Sequence, residues 1–82
     1  MRRLQVNWIL TEQCHFINFI LQAKKEESQV IKGEGNEQFK SADFVAAMDT
    51  YTQALRTCPT YFVKERAIMY SNRGACRFKR VS

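Results

Sequence analysis

The most regular pattern of apolar and polar positions along the chain lies between residues 44 and 55. Apolar side chains recur there at spacings of three and four, which is the spacing of one face of an α-helix. They are Phe44, Ala47, Met48, Tyr51, Ala54 and Leu55. Asp43 stands at the N-cap position, where its carboxylate can accept from the free N–H groups of the first turn. Because proline cannot continue a helix, this helix is predicted to stop between Leu55 and Pro59.

A second helix is predicted immediately upstream, over about residues 27–41. Ile31, Gly35 and Phe39 are spaced by four and therefore line one side of it. The stretch 41–43 leaves room only for a turn before the next helix begins. The two segments are therefore predicted to form an antiparallel helical hairpin.

Weaker patterns predict helices on both sides of the hairpin. Downstream, residues 62–80 place apolar or small side chains on one face at spacings of three and four: Val63, Ala67, Tyr70, Gly74 and Phe78. Upstream, residues 4–23 carry many apolar side chains in an irregular order. A helix over about 14–26 is predicted there, and the pattern does not indicate what it packs against.

A short motif occurs in both the second and the last predicted helices. "GNEQFK" (35–40) and "GACRFK" (74–79) share a glycine, three residues, a phenylalanine and a lysine. A small residue followed by an aromatic one four positions later lets one helix approach its partner closely. Gly33 has no such role and is expected to weaken its helix by up to about 1 kcal/mol relative to alanine. A helix hairpin that recurs on this scale indicates a helical solenoid.

Length and cysteine content limit the fold and exclude two kinds of site. The chain has 82 residues and three cysteines, Cys14, Cys58 and Cys76, which lie far apart in the sequence. A chain of this size is at most one small domain and buries only about 60% of its unfolded surface. The odd number and wide spacing of the cysteines indicate neither a disulfide framework nor a zinc site. We expect reduced thiols, as in a cytosolic protein.

The N-terminal segment is not predicted to be a signal peptide or a membrane span. It begins with two arginines and is rich in apolar residues, but polar side chains such as Asn7, His15 and Asn18 interrupt it. No uninterrupted apolar run of about 7–15 residues remains for a signal peptide, and none of about 18 for a membrane span.

The formal net charge is +5, and the basic residues concentrate at one end. Arg73, Arg77, Lys79 and Arg80 lie within the last ten residues, with no acidic residue among them. A basic end raises the hypothesis of a nucleic-acid or membrane-surface binder. No zinc-finger spacing and no aromatic RNA-binding strand accompanies these residues. A solvated end of a helix is therefore the favoured interpretation.

Residues 28–59 resemble a tetratricopeptide repeat (TPR), a helical hairpin with a period of about 34 residues. The agreement falls on the small, aromatic and alanine positions of the pattern: Gly35, Phe39, Phe44, Ala47, Tyr51, Ala54, Leu55 and Pro59. The departures are Ile31, where tryptophan is common, and Glu34, where leucine is common. Residues 67–80 resemble the first helix of a second repeat, with Gly74 and Phe78 at its small and aromatic positions. The chain ends before the second helix of that repeat.

The resemblance implies an all-α fold with three parts. Residues 1–27 form an unassigned segment that contains an additional N-terminal helix. Residues 28–60 form the hairpin of the first repeat. Residues 61–82 form a linker and the first helix of an incomplete second repeat.

The resemblance also implies a binding site for the end of a peptide. In a subset of TPR domains a "carboxylate clamp" of basic and amide side chains grips chaperone tails that end in Glu-Glu-Val-Asp. Lys32, Asn36 and Asn72 match three of the five clamp positions, and the other two belong to a third repeat that the chain lacks. Lys32 and Asn36 are four apart and therefore share a helix face. Lys and Asn are also common at exposed helix positions, so a purely structural role stays open.

The function expected from the resemblance is that of a protein-interaction module in a cytoplasmic adaptor or co-chaperone. Its expected partners are proteins, including the C-terminal tails of Hsp70 and Hsp90. No enzymatic activity is expected, because Cys14 and His15 are adjacent and would point about 100° apart on a helix. No cofactor or metal is expected either, because the sequence contains no phosphate-binding loop and no metal-ligand spacing. The alternative is a truncated isoform without a binding function that self-associates or is degraded, since about three repeats are usually needed for stability.

Overall fold

Three α-helices make up the computed structural model, which describes residues 2–81 and the side chains of residues 15–81. They are α1 (Arg2–Lys40), α2 (Phe44–Thr57) and α3 (Val63–Val81). No strand occurs among residues 2–81. The predicted all-α class is confirmed: α1 and α2 form a TPR-type antiparallel hairpin, and α3 follows as one further helix. None of the helices in the described part of the chain is long and apolar enough to cross a membrane.

The two upstream helices predicted over 14–26 and 27–41 are one continuous helix. Neither glycine nor proline occurs between residues 2 and 32 to interrupt α1. An exposed ion pair of 3.7 Å joins Lys24 to Glu27 across the predicted gap. One residue further on, the buried Ser28 hydroxyl donates to the Lys25 carbonyl at 2.6 Å. The additional N-terminal helix is therefore an extension of the first hairpin helix, and its residues 15–20 are all exposed.

The turn between α1 and α2 is built from hydrogen bonds of the backbone and one side chain. The N–H groups of Ala42 and Asp43 donate to the carbonyls of Phe39 and Gln38, each at 3.0 Å. This pair of bonds is a Schellman motif, and Ala42 takes the left-handed conformation that the motif requires, with φ 61°. The Asp43 carboxylate then accepts from the Ala46 N–H at 3.4 Å, which confirms the predicted N-cap.

Gly35 is the point of closest approach between α1 and α2. A β-carbon added to Gly35 would lie 2.8 Å from Cε1 and 2.9 Å from Cδ1 of the Tyr51 ring. Such distances are shorter than a van der Waals contact, so only glycine lets the ring lie against α1. The glycine and tyrosine positions of the hairpin thus depend on each other. The close helix approach that the motif predicted at Gly35 is present.

The core consists of two apolar clusters along α2. The first contains Ala47, Tyr51 and Cys76, with Phe39, Phe44 and Met48 packed against it. The rings of Phe39 and Phe44 meet edge to face across the turn, with centroids 5.2 Å apart. The second cluster contains Ala54, Leu55, Cys58, Phe62 and Met69, with Leu21 and Ile31 packed against it. These clusters bury the predicted apolar face of α2 between α1 and α3.

The predicted apolar face of α3 is exposed rather than packed against α2. Val63, Tyr70 and Phe78 are 71%, 49% and 69% exposed, whereas Met69 and Cys76 are fully buried. The buried pair is seven residues apart, so α3 turns a different stripe toward α2. No atom within 4 Å would meet a β-carbon added to Gly74. The close approach predicted from its motif therefore has no counterpart among the described residues.

Arg66 and Lys25 each connect one helix to another. The Arg66 guanidinium donates to the carbonyls of Leu55 and Cys58, at 2.6 and 2.8 Å, and so satisfies the C-terminal end of α2. The Lys25 ammonium pairs with Glu65 at 3.8 Å and stands 5.1 Å from the centroid of the Phe62 ring. The long α1 therefore holds the start of α3 as well as α2.

Candidate functional site

A groove of about 450 Å³ opens where the three helices meet. Its lining combines amide, aromatic and charged side chains with two small residues: Gly33, Asn36, Glu37, Phe39, Lys40, Tyr51, Asn72 and Ala75. The residues from α1 recur at spacings of three and four and form one wall. Those from α3 form the opposite wall, and Tyr51 of α2 lies between them.

The side-chain amide of Asn36 is held by the buried phenol of Tyr51. The Tyr51 hydroxyl donates a hydrogen bond to Asn36 Oδ1. An asparagine amide has one oxygen acceptor and two N–H donors. Since the oxygen is engaged, the two N–H groups are left for a ligand. This arrangement gives the α1 wall a pair of donors.

Tyr51, which forms the floor of the groove between the two walls, carries no charge at neutral pH. Tyr51 is only 2% exposed, and burial raises the pKa of its phenol above 10.0, with a smaller contribution from the nearby Cys76. Burial also raises the pKa of the Cys76 thiol above 9.0, although a backbone hydrogen bond acts in the opposite direction. Both groups therefore keep their protons at neutral pH, and the Tyr51 hydroxyl remains a donor.

Asn72 supplies an amide from the opposite wall. It is half-buried on α3 and lines the same groove as Asn36. Its amide makes no hydrogen bond within the described residues. The structure therefore brings together two of the three residues singled out from the sequence.

Lys32, the third of these residues, does not line the groove. It is half-buried on α1, one position before Gly33 and one turn before Asn36. Among residues 15–81 its ammonium has neither an ion-pair nor a hydrogen-bond partner. Because Lys32 and Asn36 are four positions apart, they share one face of α1.

Sequence reasoning missed a lysine that lines the groove. Lys40 lines the groove one turn beyond Asn36, and its ammonium pairs with Glu37 at 3.4 Å. Both side chains are more than 70% exposed, so this pair is worth little and can open. The spacing of Gly33, Asn36 and Lys40 on one helix face was the signal that could have identified it.

The predicted structural positions of the repeat divide into a buried and an exposed group. Ala47 and Ala54 are fully buried, and Leu55 is 5% exposed. Pro59 follows the end of α2 in the turn that leads to α3. Gly74 and Phe78 are exposed on the open face of α3.

Of the Cys14–His15 pair, only one side chain can be placed. The Cys14 side chain lies outside the described residues, and His15 is exposed on α1. Within the described part of the chain no three His, Cys, Asp or Glu side chains are grouped as metal ligands would be.

The fold is a TPR-type helical hairpin followed by one further helix, and segments of three larger proteins are similar to the chain. Over 54 residues, or 66% of the chain, it is 39% identical to Protein unc-45 homolog B of Danio rerio. Over the same length it is 44% identical to Stress-induced-phosphoprotein 1 of Caenorhabditis elegans. Over 50 residues it is 34% identical to Mitochondrial import receptor subunit TOM70 of Rattus norvegicus.

These matches cover only small parts of the relatives. The chain spans 6%, 15% and 8% of the three proteins, in the order given. No family model and no solved structure matches the chain. The similarity therefore concerns a helical segment that occurs within larger proteins, and it supports the TPR resemblance.

Proposed function

We propose that the chain is a TPR protein-interaction module of a cytoplasmic adaptor or co-chaperone, and that its groove binds the C-terminal carboxylate of an acidic peptide. The observation that carries the proposal is the position of Asn36 and Asn72 on opposite walls of one groove. Their amide N–H groups are donors of the kind that a carboxylate needs. One of the similar proteins is named as an import receptor subunit, a role in binding other proteins, and this also favours an interaction role.

The charges around the groove select an anionic ligand. Lys40 lines the groove, and Lys32 lies on the same helix one turn before Asn36. Among the lining residues Glu37 is the only acidic one, and it is exposed. A peptide that ends in an acidic residue presents two neighbouring carboxylates, which match one cation and several amide donors. The proposed ligands are therefore chaperone tails that end in Glu-Glu-Val-Asp, such as those of Hsp70 and Hsp90.

Within the TPR family, we propose a more specific resemblance. The segments "EGNEQFK", "ALRTCP", "KER" and "YSNRGACR" are similar to the start of the repeat region of tetratricopeptide repeat protein 1. That protein is an adaptor, which agrees with the role proposed for the groove.

A titration with a Met-Glu-Glu-Val-Asp peptide tests the proposed site. We expect dissociation constants between about ten micromolar and one millimolar, because the proposed contacts to the peptide carboxylates are few. Amidating the peptide C-terminus should weaken binding about tenfold or more, since a hydrogen bond to a charged group contributes about 1.5–3 kcal/mol. Lys32→Ala should reproduce that loss, and the two changes together should cost little more than either one alone.

Lys64→Ala is the matched control, because Lys64 is an exposed lysine of α3 outside the groove. It removes the same charge and should leave the preference for the free acid intact. A general attraction between a basic chain and an acidic peptide would instead give similar losses for both lysines. Those losses would be additive and would disappear at high salt. Equal binding of the free-acid and amidated peptides would exclude the proposed clamp.

A second candidate is self-association through the open face of α3, in place of ligand binding by the groove. The exposed Val63, Tyr70 and Phe78 favour it. Sedimentation equilibrium should then show a mass that rises with protein concentration, and Phe78→Ser should abolish that rise. A monomeric mass at all concentrations would exclude this candidate.

A further inference from the structure

The groove contains a hydrogen bond whose role extends beyond packing. The Tyr51 hydroxyl is inside the helical hairpin, and it donates to an amide that also faces the groove. We propose that Tyr51 is a positioning residue: its hydroxyl fixes the Asn36 amide with the N–H groups toward the ligand and so sets the preference for a carboxylate. This inference rests on the groove function proposed above.

The direction of the hydrogen bond follows from the surroundings of the phenol. Tyr51 is 2% exposed, so its hydroxyl proton needs an acceptor inside the protein. Within the described residues Asn36 Oδ1 is the hydrogen-bond partner of that hydroxyl. If the amide were reversed, its nitrogen would face the hydroxyl, and the buried proton would lose its acceptor. The bond therefore favours the orientation in which the Asn36 oxygen faces Tyr51 and the Asn36 nitrogen faces the groove.

Gly35 is the reason that the phenol reaches Asn36. The Tyr51 ring lies so close to Gly35 that an added β-carbon would be 2.8 Å from its Cε1 atom. The ring therefore passes directly over the backbone of α1, and its hydroxyl arrives beside the next residue. The adjacent glycine and asparagine thus have linked roles, since one admits the ring and the other is oriented by it.

The orientation of Asn36 decides which ligand group is accepted. With the nitrogen facing the groove, a carboxylate meets two donors. With the oxygen facing the groove, it meets a partial negative charge of the same sign as its own. An amide that samples both orientations binds a carboxylate less tightly, because a smaller fraction of the molecules has the Asn36 nitrogen facing the groove.

Tyr51→Phe tests this role because it removes the hydroxyl and keeps the ring. Binding of the free-acid Met-Glu-Glu-Val-Asp peptide should weaken about three- to tenfold as the competent fraction falls. Binding of the amidated peptide should change little, so the ratio of the two affinities should move toward one. In the protein without peptide, the side-chain amide resonances of Asn36 should also shift or broaden.

Thr50→Val is the matched control. Thr50 is the neighbour of Tyr51 on α2, and its hydroxyl donates to Gln38 Oε1 on α1 at 2.6 Å. This is also a hydroxyl-to-amide bond between α2 and α1, but Gln38 does not line the groove. Thr50→Val should therefore reduce stability without changing the affinity ratio or the Asn36 resonances. Equal changes of that ratio in both variants would show a merely structural effect and overturn the inference.

The outcomes separate this inference from the proposed function. A wild-type chain that does not distinguish the two peptides would overturn both. A wild-type chain that distinguishes them, with Tyr51→Phe retaining the same ratio, would overturn only the role of Tyr51.

Asn36→Asp gives a second test if Tyr51→Phe fails to fold. It keeps an oxygen for the Tyr51 hydroxyl and replaces the two N–H donors by another oxygen. The preference for the free acid should be lost. An unchanged preference would show that the donors do not face the ligand, and it would overturn the assignment.

Discussion

Gly35→Ala is expected to destabilise the chain, although alanine is the better helix former. The new methyl carbon would lie 2.8 Å from the Tyr51 ring, which is buried and cannot move aside without loss. Overpacking of this kind typically costs about 1–3 kcal/mol, and Gly35→Leu should cost at least as much. The measurement is the free energy of unfolding, from circular dichroism in urea.

Gly33→Ala is the control for the change at Gly35, because the two glycines are two positions apart on the same helix. A β-carbon at Gly33 would meet nothing within 4 Å. Alanine there should stabilise the helix by up to about 1 kcal/mol. Opposite signs at the two positions are the expected result. Stabilisation by alanine at both would contradict the contact between Gly35 and Tyr51 and the assigned register of the hairpin.

Met69→Ala is expected to detach α3 from the hairpin. Met69 is fully buried in the cluster that Leu55, Cys58 and Phe62 form at the α2–α3 contact. Truncating a buried methionine to alanine costs about 2–5 kcal/mol, through the lost burial and the cavity left behind. Such a loss is a large fraction of the stability of a small domain. Circular dichroism should show less helix and a lower melting temperature.

The neighbouring Ile68 provides the comparison for Met69. It is 48% exposed, so Ile68→Ala should change the stability far less. A comparable loss from Ile68→Ala would contradict the burial of Met69, rather than Ile68, at the contact between α3 and α2.

The hairpin could be predicted because local signals agreed with one another. The apolar positions of α2, the N-cap Asp43 and the stop before Pro59 all specify the same helix. The close approach at Gly35 was predicted from its spacing to Phe39. Each of these features depends on a few neighbouring residues, which a sequence displays directly.

The packing of α3 and the length of α1 could not be predicted in the same way. Two stripes of α3 carry apolar residues, and only the position of α2 decides that Met69 and Cys76 are buried. The sequence predicted separate helices over about 14–26 and 27–41, but α1 continues without a break between them. Arg66 satisfies carbonyls of another helix, which no local pattern indicates.

The candidate site was predicted in part. The resemblance selected Asn36 and Asn72, and the structure places both on one groove. Tyr51 was assigned to the core from its spacing, and its buried ring confirms that. Its bond to Asn36 joins residues 15 positions apart on different helices, so it becomes visible only once the hairpin is folded.

The binding of a peptide carboxylate between Asn36 and Asn72 is the central proposal, and side-chain amide resonances during a titration test it most directly. With the free-acid Met-Glu-Glu-Val-Asp peptide, the amide signals of both residues should shift and give the same dissociation constant. With the amidated peptide, they should shift little at equal concentrations. Shifts confined to the basic end of α3 around Arg77 and Arg80, with both peptides, would contradict the proposed groove.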